Sequence, residues 1–141
     1  MGIKEVIIPS LLIKNLVADS KKEALKQIVN ALYEKSYIKD SQSVLTSLLK
    51  REDEMSTEIA EGLHLPHAKC EDVEGIIVVY ANVIVDNQEE LYFVILSNNT
   101  LVKQYIKVIS IIAKLISSNS FIEKITKCKE LVEIQQVFQL A

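Results

Sequence analysis

The side chains best suited to chemistry lie in one stretch of this sequence, residues 51–70. Both histidines of the chain, His64 and His67, fall within it. A neutral imidazole is a nucleophile near neutral pH. Of the 16 basic residues only Arg51, at the start of the stretch, is an arginine. A guanidinium presents a planar fork of donors to an oxyanion, which lysine cannot do, so Arg51 is the cation to follow.

Three interpretations of this stretch compete. In the first, the histidines are ordinary loop residues and Arg51 forms a surface ion pair. In the second, His64, His67 and Cys70 bind zinc, although a fourth ligand and a familiar ligand pairing are missing. In the third, a histidine accepts a phosphoryl group, whose negative charge the arginine stabilises with two donors. Pro66 predicts a strand end near the surface, where the following imidazole stays partly exposed.

Helices precede this stretch. Ser20 and Glu23 form a capping box that begins a helix, and apolar residues recur at helical spacing after it. A second helix starts near residues 40–41 and ends in the charged run of residues 50–54. Residues 1–18 predict only a short strand or turn.

Two strands follow the stretch. Residues 76–85 and 91–96 are nearly continuous apolar runs, typical of strands covered on both faces, and a turn or short loop joins them. A long helix then begins with Thr100 as its cap. Its apolar stripe consists of Val102, Tyr105, Ile106, Ile109, Ile112, Ala113 and Ile116.

Residues 117–120 break this helix, and two shorter helices are predicted around residues 121–127 and 129–140. The order is therefore helices, then strands, then helices. It places a sheet in the middle of the chain with helices available for both faces.

Composition narrows the class of protein. At 141 residues the chain has the size of one domain, residues 1–141, and 49% hydrophobic residues exclude a disordered tail. A net charge of -3 gives no basis for a nucleic-acid or membrane-binding patch. Residues 75–85, the longest uncharged apolar run, are about half of a membrane span. Two cysteines and no signal peptide predict a cytoplasmic protein.

The motifs of residues 51–70 match a known pattern. Arg-Glu at residues 51–52, Ser-Thr at 56–57 and Gly-Leu-His-Leu-Pro-His-Ala-Lys at 62–69 closely resemble the active-site signature of mannitol/fructose-type enzyme IIA domains. These domains belong to the bacterial phosphoenolpyruvate-dependent sugar phosphotransferase system. The resemblance covers essentially the whole chain. It implies an α/β fold, with a mixed central β-sheet and helices packed on both faces.

The resemblance also implies roles for single residues. His67 would accept a phosphoryl group from phospho-HPr and pass it to an enzyme IIB, with Arg51 beside it. Ser56, Thr57 and Gly62 match framework positions of the active-site loop. No metal or organic cofactor is implied.

Two positions depart from the family pattern. The second histidine that active members carry on the long helix is replaced by Tyr105, which hydrogen-bonds a phosphoryl oxygen but has no cationic form; a buried core tyrosine is the alternative. His64 replaces a small residue, and one hypothesis makes it the missing imidazole. Strand alternation argues against this, because an odd spacing points His64 and His67 to opposite faces unless Pro66 disturbs the strand.

These departures leave two functions open. The first is a phosphocarrier phosphotransferase of sugar uptake, which needs HPr and an enzyme IIB as partners. The second is a regulatory phospho-acceptor or partner-binding module with weak or no onward transfer. Phosphorylation of an enzyme IIB would separate them.

Overall fold

The computed structural model describes residues 7–141, and within that range five helices surround a six-stranded mixed sheet. The strands are β1 (Ile7–Ala18), β2 (Glu58–Ala60), β3 (Leu63–His64), β4 (His67–Lys69), β5 (Ile76–Val85) and β6 (Gln88–Ser97). The helices are α1 (Lys21–Glu34), α2 (Ser41–Glu54), α3 (Val102–Ile116), α4 (Asn119–Thr126) and α5 (Leu131–Leu140). The predicted α/β class, with a mixed central sheet, is confirmed.

The hairpin of β5 and β6 forms the centre of the sheet. β5 pairs with β1 in parallel and with β6 antiparallel, and the sheet order is β1-β5-β6-β3-β2, with β4 also on β6. Asp86 and Asn87 both have positive φ, as a two-residue hairpin turn requires. The predicted loop at residues 86–90 was therefore too long, because Gln88 already pairs with Val85.

β1 is an edge strand and much longer than the short strand or turn predicted for residues 1–18. Its pairing with β5 shifts register twice, between Ile7 and Leu12 and between Ile13 and Leu16. Pro9 lies within the first irregularity, and an edge strand tolerates a proline there because no ladder donor is required. The part of that prediction that concerns residues 1–6 falls outside the described residues.

Helices cover both faces of the sheet, as predicted. One core contains buried residues of α1 and α2 and alternate residues of the hairpin, among them Val79, Ala81, Tyr92 and Val94. The other contains α3, α4 and α5 with the opposite set: Tyr80, Phe93 and Ile95. No single helix of the described range is long and apolar enough to cross a membrane, although α3 and α4 together, bent by 79°, reach that length and composition.

Polar capping residues determine where the helices begin. They explain why some helix starts differ from those predicted from the sequence. Ser20 Oγ accepts from the Glu23 N–H at 3.2 Å, which is one half of the capping box predicted for α1, whereas the Glu23 carboxylate accepts from Gln27 Nε2. Thr100 does not cap α3, because its hydroxyl donates to Asn98 Oδ1 at 2.8 Å and the N-cap residue is Leu101. Ser118 caps α4, which moves its start from the predicted residue 121 back to Asn119.

The start of α5 also differs from the prediction. Glu130 is the N-cap residue, so α5 begins at Leu131 and not at residue 129. Glu130 and Glu133 form a capping box, in which each side chain bonds the backbone near the other.

Candidate active site

The stretch without helical periodicity forms three very short strands, of which β3 and β4 pair with β6 and β2 pairs with β3. β3 and β4 both run parallel to β6, with Leu63 opposite Leu91 and His67 opposite Ile95. Between them the Pro66 carbonyl accepts from the Ile95 N–H at 2.9 Å. The register therefore continues through the proline, which occupies a position that needs no N–H.

Because alternation continues, His64 and His67 lie on opposite faces of the sheet, as their odd spacing predicted. Leu63 and Leu65 pack into the same core as Tyr105, and the His67 ring lies 6.1 Å from the Tyr105 ring. The His64 ring instead stacks on Tyr92 in the other core, at 4.4 Å. Pro66 does not disturb the strand.

His67 is the half-buried first residue of β4. Its Nδ1 lies 2.8 Å from the carbonyl oxygen of Leu65. A carbonyl only accepts hydrogen bonds, so Nδ1 carries the proton and Nε2 keeps its lone pair in the neutral ring. Leu65 is itself held, because its N–H donates to the Thr57 carbonyl at 3.1 Å.

The His67 ring lines an open cleft of about 450 Å³ between α2 and α3. The α2 wall consists of Ser47, Lys50, Arg51 and Glu54, the floor of His67, Ala68 and Lys69, and the α3 wall of Tyr105 and Ile109. The cleft thus brings together three of the predicted site residues: Arg51, His67 and Tyr105.

Arg51 supplies one of three cations in this cleft. Its Nη1 donates to the Met55 carbonyl at 3.0 Å, which ties the guanidinium to the end of α2. Lys50 and Lys69 line the same cleft, with Glu54 as the one lining carboxylate. The site therefore carries excess positive charge in a chain whose net charge is -3.

Tyr105 contributes a neutral hydroxyl. Its side chain is buried, and burial raises its pKa to about 12, although the charge of Arg51 acts to lower it. The phenol therefore stays protonated, and able to donate, over the whole physiological range. Tyr105 is thus a buried core residue, which was one alternative drawn from the sequence, and it also lines the cleft.

Thr57 lies outside the cleft and fixes the loop that connects α2 to β2. Both its N–H and its hydroxyl donate to the Glu52 carboxylate, which also accepts from Lys21 Nζ at 3.3 Å. Burial acts to raise the pKa of Glu52, but the bonds from Thr57 and the charge of Lys21 outweigh it and lower that pKa. Arg51 and Glu52 are adjacent on α2. Arg51 lines the cleft, whereas Glu52 fixes the loop through its bonds with Thr57.

Two further loop residues have structural roles. Ser56 Oγ accepts from the Glu58 N–H at 3.2 Å. Gly62 has a φ of +74°, a conformation that side chains disfavour, and its N–H donates to Glu58 Oε2 at 3.1 Å. Both act on the backbone of the loop, in keeping with framework positions.

His64 is the buried member of a polar cluster that reaches the surface at Glu58. Its Nε2 lies 2.9 Å from Glu90 Oε1 and 3.7 Å from Glu58 Oε2. The Tyr92 hydroxyl donates to the same Glu90 oxygen at 3.2 Å. This cluster is separated from the cleft by the sheet, so His64 does not supply an imidazole beside Tyr105.

The structure does not bring the three candidate zinc ligands together. His64 and His67 point to opposite faces, and Cys70 is buried, with a pKa raised by that burial. Among residues 7–141 as described, no three His, Cys, Asp or Glu side chains are placed to hold a metal ion.

Sequence reasoning missed five residues as parts of the cleft: Ser47, Lys50, Glu54, Lys69 and Ile109. One signal was available, since Ser47, Lys50, Arg51 and Glu54 share one helical face by their spacing of three and four. The charged run that ends α2 hid this spacing. Lys69 gave no such signal, because only the short strand β4 orients it.

Comparison with known proteins places this geometry among relatives. A family model described as phosphoenolpyruvate-dependent sugar phosphotransferase system, EIIA 2, matches residues 5–140. A nitrogen regulatory protein of Bradyrhizobium diazoefficiens is 24% identical over 148 residues, which cover 99% of this chain and 96% of that protein.

Solved structures agree on the fold. The nitrogen regulatory protein IIA-Ntr of Neisseria meningitidis has a TM-score of 0.82 at 21% identity, covering 96% of this chain and 98% of that one. The mannitol enzyme IIA of Escherichia coli, solved in complex with phosphorylated mannitol enzyme IIB, has a TM-score of 0.77 at 18% identity, with coverage of 96% and 98%. At these identities the likeness shows the fold alone.

Proposed function

This chain belongs to the EIIA 2 family of the phosphoenolpyruvate-dependent sugar phosphotransferase system, and from that premise we propose that it carries a phosphoryl group on Nε2 of His67. The observation that carries the proposal is the bond from His67 Nδ1 to the Leu65 carbonyl. It leaves Nε2 as the nucleophilic nitrogen of a ring that lines a cation-rich cleft.

The phosphoryl step needs no proton transfer at the reacting atom. The Nε2 lone pair attacks the phosphorus of the donor's phosphohistidine, which we take to be phospho-HPr. The donor's nitrogen–phosphorus bond breaks, and its electron pair returns to the donor's ring. His67 keeps its Nδ1 proton, which remains bonded to Leu65. Transfer of this kind depends mainly on positioning and charge stabilisation.

Two side chains of the cleft stabilise the transferred group. The Arg51 guanidinium offers paired donors to the phosphoryl oxygens. Tyr105 adds a neutral O–H from the opposite wall, close to the His67 ring. The reaction takes place in the cytoplasm, in keeping with the two buried, unbridged cysteines.

Two fates of the phosphoryl group remain as candidates. One is transfer to an enzyme IIB for sugar uptake, supported by the complex in which an enzyme IIA of this fold was solved with its enzyme IIB. The other is a regulatory role with weak onward transfer. The second is favoured by Tyr105, which supplies no positive charge for transfer, and by the likeness to two nitrogen regulatory proteins.

Phosphorylation assays test both levels of the proposal. The protein is incubated with phosphoenolpyruvate, enzyme I and HPr, and an acid-labile adduct is measured by intact mass. We expect one phosphoryl group on the wild type and on a His64→Ala control, and none on His67→Ala. An unmodified wild type in the presence of active donors contradicts the proposal.

Addition of enzyme IIB proteins from the same organism then separates the two fates. Rapid loss of the phosphoryl group to an enzyme IIB supports sugar uptake. Retention of the adduct supports the regulatory role.

A further inference from the structure

The carbonyl that binds His67 Nδ1 lies at the end of an antiparallel strand pair. β2 and β3 pair with Glu58 opposite His64, so Thr57 and Leu65 are the next two residues to face each other. The Leu65 N–H donates to the Thr57 carbonyl at 3.1 Å. In a regular antiparallel ladder such a pair exchanges two bonds, and the Thr57 N–H would donate back to the Leu65 carbonyl.

Glu52 binds the donor of that second bond. The Thr57 nitrogen lies 3.3 Å from each oxygen of the Glu52 carboxylate, to which its N–H donates. The Leu65 carbonyl is bonded by His67 Nδ1 at 2.8 Å. The second ladder bond is thus replaced by two bonds to side chains, one from each backbone group.

The Glu52 carboxylate is well suited to hold this N–H. Its side chain is only 9% exposed, and it also accepts from the Thr57 hydroxyl and from Lys21 Nζ at 3.3 Å. Although burial acts to raise its pKa, the bonds from Thr57 and Lys21 lower it, so the group is ionised at neutral pH. A hydrogen bond to an ionised acceptor is roughly twice as strong as one to a neutral carbonyl. Glu52 therefore competes successfully with Leu65 for the Thr57 N–H.

We infer that Glu52 is a positioning residue for the phosphoryl acceptor: by binding the Thr57 N–H it reserves the Leu65 carbonyl for His67 Nδ1, and so leaves the ring lone pair on Nε2. The inference rests on the proposed function, because it gives Glu52 a part in preparing His67. Glu52 acts through Thr57 and Leu65 and not on the reacting atoms.

The tautomer of His67 in the unphosphorylated protein tests the inference. Long-range nitrogen–proton NMR spectra of protein labelled with ¹⁵N at histidine show which ring nitrogen carries the proton, at a pH where the ring is neutral. In Glu52→Ala the Thr57 N–H is free to compete for the Leu65 carbonyl. We expect the proton to be shared between Nδ1 and Nε2 in that variant, and phosphorylation by phospho-HPr to be about tenfold slower, as is typical when the partner that orients a histidine ring is lost.

Two more variants separate positioning from a merely structural role. Glu52→Gln keeps the size and one acceptor oxygen, so it should change the tautomer in the same direction but less, and it carries the test if Glu52→Ala does not fold. Lys21→Ala, the matched control, removes another bond to the same carboxylate and should keep the proton on Nδ1. A proton that stays on Nδ1 in the folded Glu52 variants, or that is shared equally in Lys21→Ala, overturns the inference. Since no phosphoryl donor is needed to read the tautomer, this result is distinct from a failure of the phosphorylation assay.

Discussion

The imidazole Nδ1 of His67 lies 2.8 Å from the carbonyl oxygen of Leu65, two residues earlier in the chain. The proline between them allows this geometry, because its carbonyl accepts from Ile95 while its missing N–H leaves no donor unsatisfied. A single backbone contact thereby sets the tautomer of His67, and with it the nitrogen that is free to react.

Replacement of Arg51 should slow phosphorylation of His67. Arg51→Ala removes the forked donor, and loss of one such stabilising group typically costs about 10²–10³ in rate. Arg51→Lys restores the charge without the fork and should recover part of the rate. The measurement is the rate of adduct formation with excess phospho-HPr.

The matched control for Arg51 is Lys127→Ala, which alters the cation at the C-cap of α4 and should leave the rate unchanged. The Arg51 bond to Met55 is exposed, so we expect the free energy of unfolding to fall by no more than about 1 kcal/mol in Arg51→Ala. A folded Arg51→Ala protein that is phosphorylated at the wild-type rate would show that the guanidinium has no part in the reaction.

Tyr105 should act as a hydrogen-bond donor that loses its proton only at high pH. Tyr105→Phe removes the hydroxyl but keeps the ring, and we expect roughly tenfold slower phosphorylation with an unchanged thermal midpoint. Since the pKa of Tyr105 is raised to about 12, its ring-carbon NMR signal should not move as the pH passes about 10. Titration of that signal at the ordinary tyrosine pKa would contradict the assignment.

His64 should matter for stability and not for chemistry. His64→Ala removes the buried stack on Tyr92 and the partly buried bond to Glu90, and we expect a loss of about 1–3 kcal/mol in the free energy of unfolding. Phosphorylation of His67 should persist at temperatures where the variant is folded. Denaturant titration and the intact-mass assay measure the two effects; loss of the adduct in a folded variant would assign His64 a role in transfer.

The ionisation of the Glu52 carboxylate should make the free energy of unfolding depend on pH. Its pKa is lowered in the fold, so its contribution is present above the ordinary carboxyl value of 4.5 and disappears as the pH falls through the lowered pKa. We therefore expect Glu52→Gln and Thr57→Val to be less stable than the wild type at neutral pH. The difference should shrink on acidification, as followed by denaturant titration. A difference that is the same at every pH would contradict this account.

The sequence predicted well the elements that are long enough to show a clear pattern of apolar residues. α1 and α2 carry side-chain caps at Ser20 and Asp40, and β5 is an apolar run with the predicted ends. β2, β3 and β4 have two or three residues each, too few for alternation to be recognised. Only the pairing with β6 and β3 defines them.

Helix α3 illustrates a second limit. Its apolar residues occupy more than one side, so spacing alone did not distinguish the face that meets the sheet from the face beside the cleft. Val108 is buried, whereas Val102 and Ile106 are exposed. Packing against β6 and the neighbouring helices determines which face is buried.

Three of the residues predicted for the site, Arg51, His67 and Tyr105, line the same cleft, whereas the residues around them were not predicted. The odd spacing of His64 and His67 correctly placed them on opposite faces. The lysines of the cleft were not foreseen, because their proximity to His67 depends on how α2 and β4 meet across the sheet edge.

The most direct test of the account is to identify the phosphorylated nitrogen. Long-range nitrogen–proton NMR spectra of the phosphorylated protein, labelled with ¹⁵N at histidine, distinguish Nε2 from Nδ1 in each ring. We expect the phosphoryl group on Nε2 of His67, with the Nδ1 proton still bonded to Leu65 and both His64 nitrogens unmodified. A phosphoryl group on Nδ1 of His67, or on His64, would contradict the account.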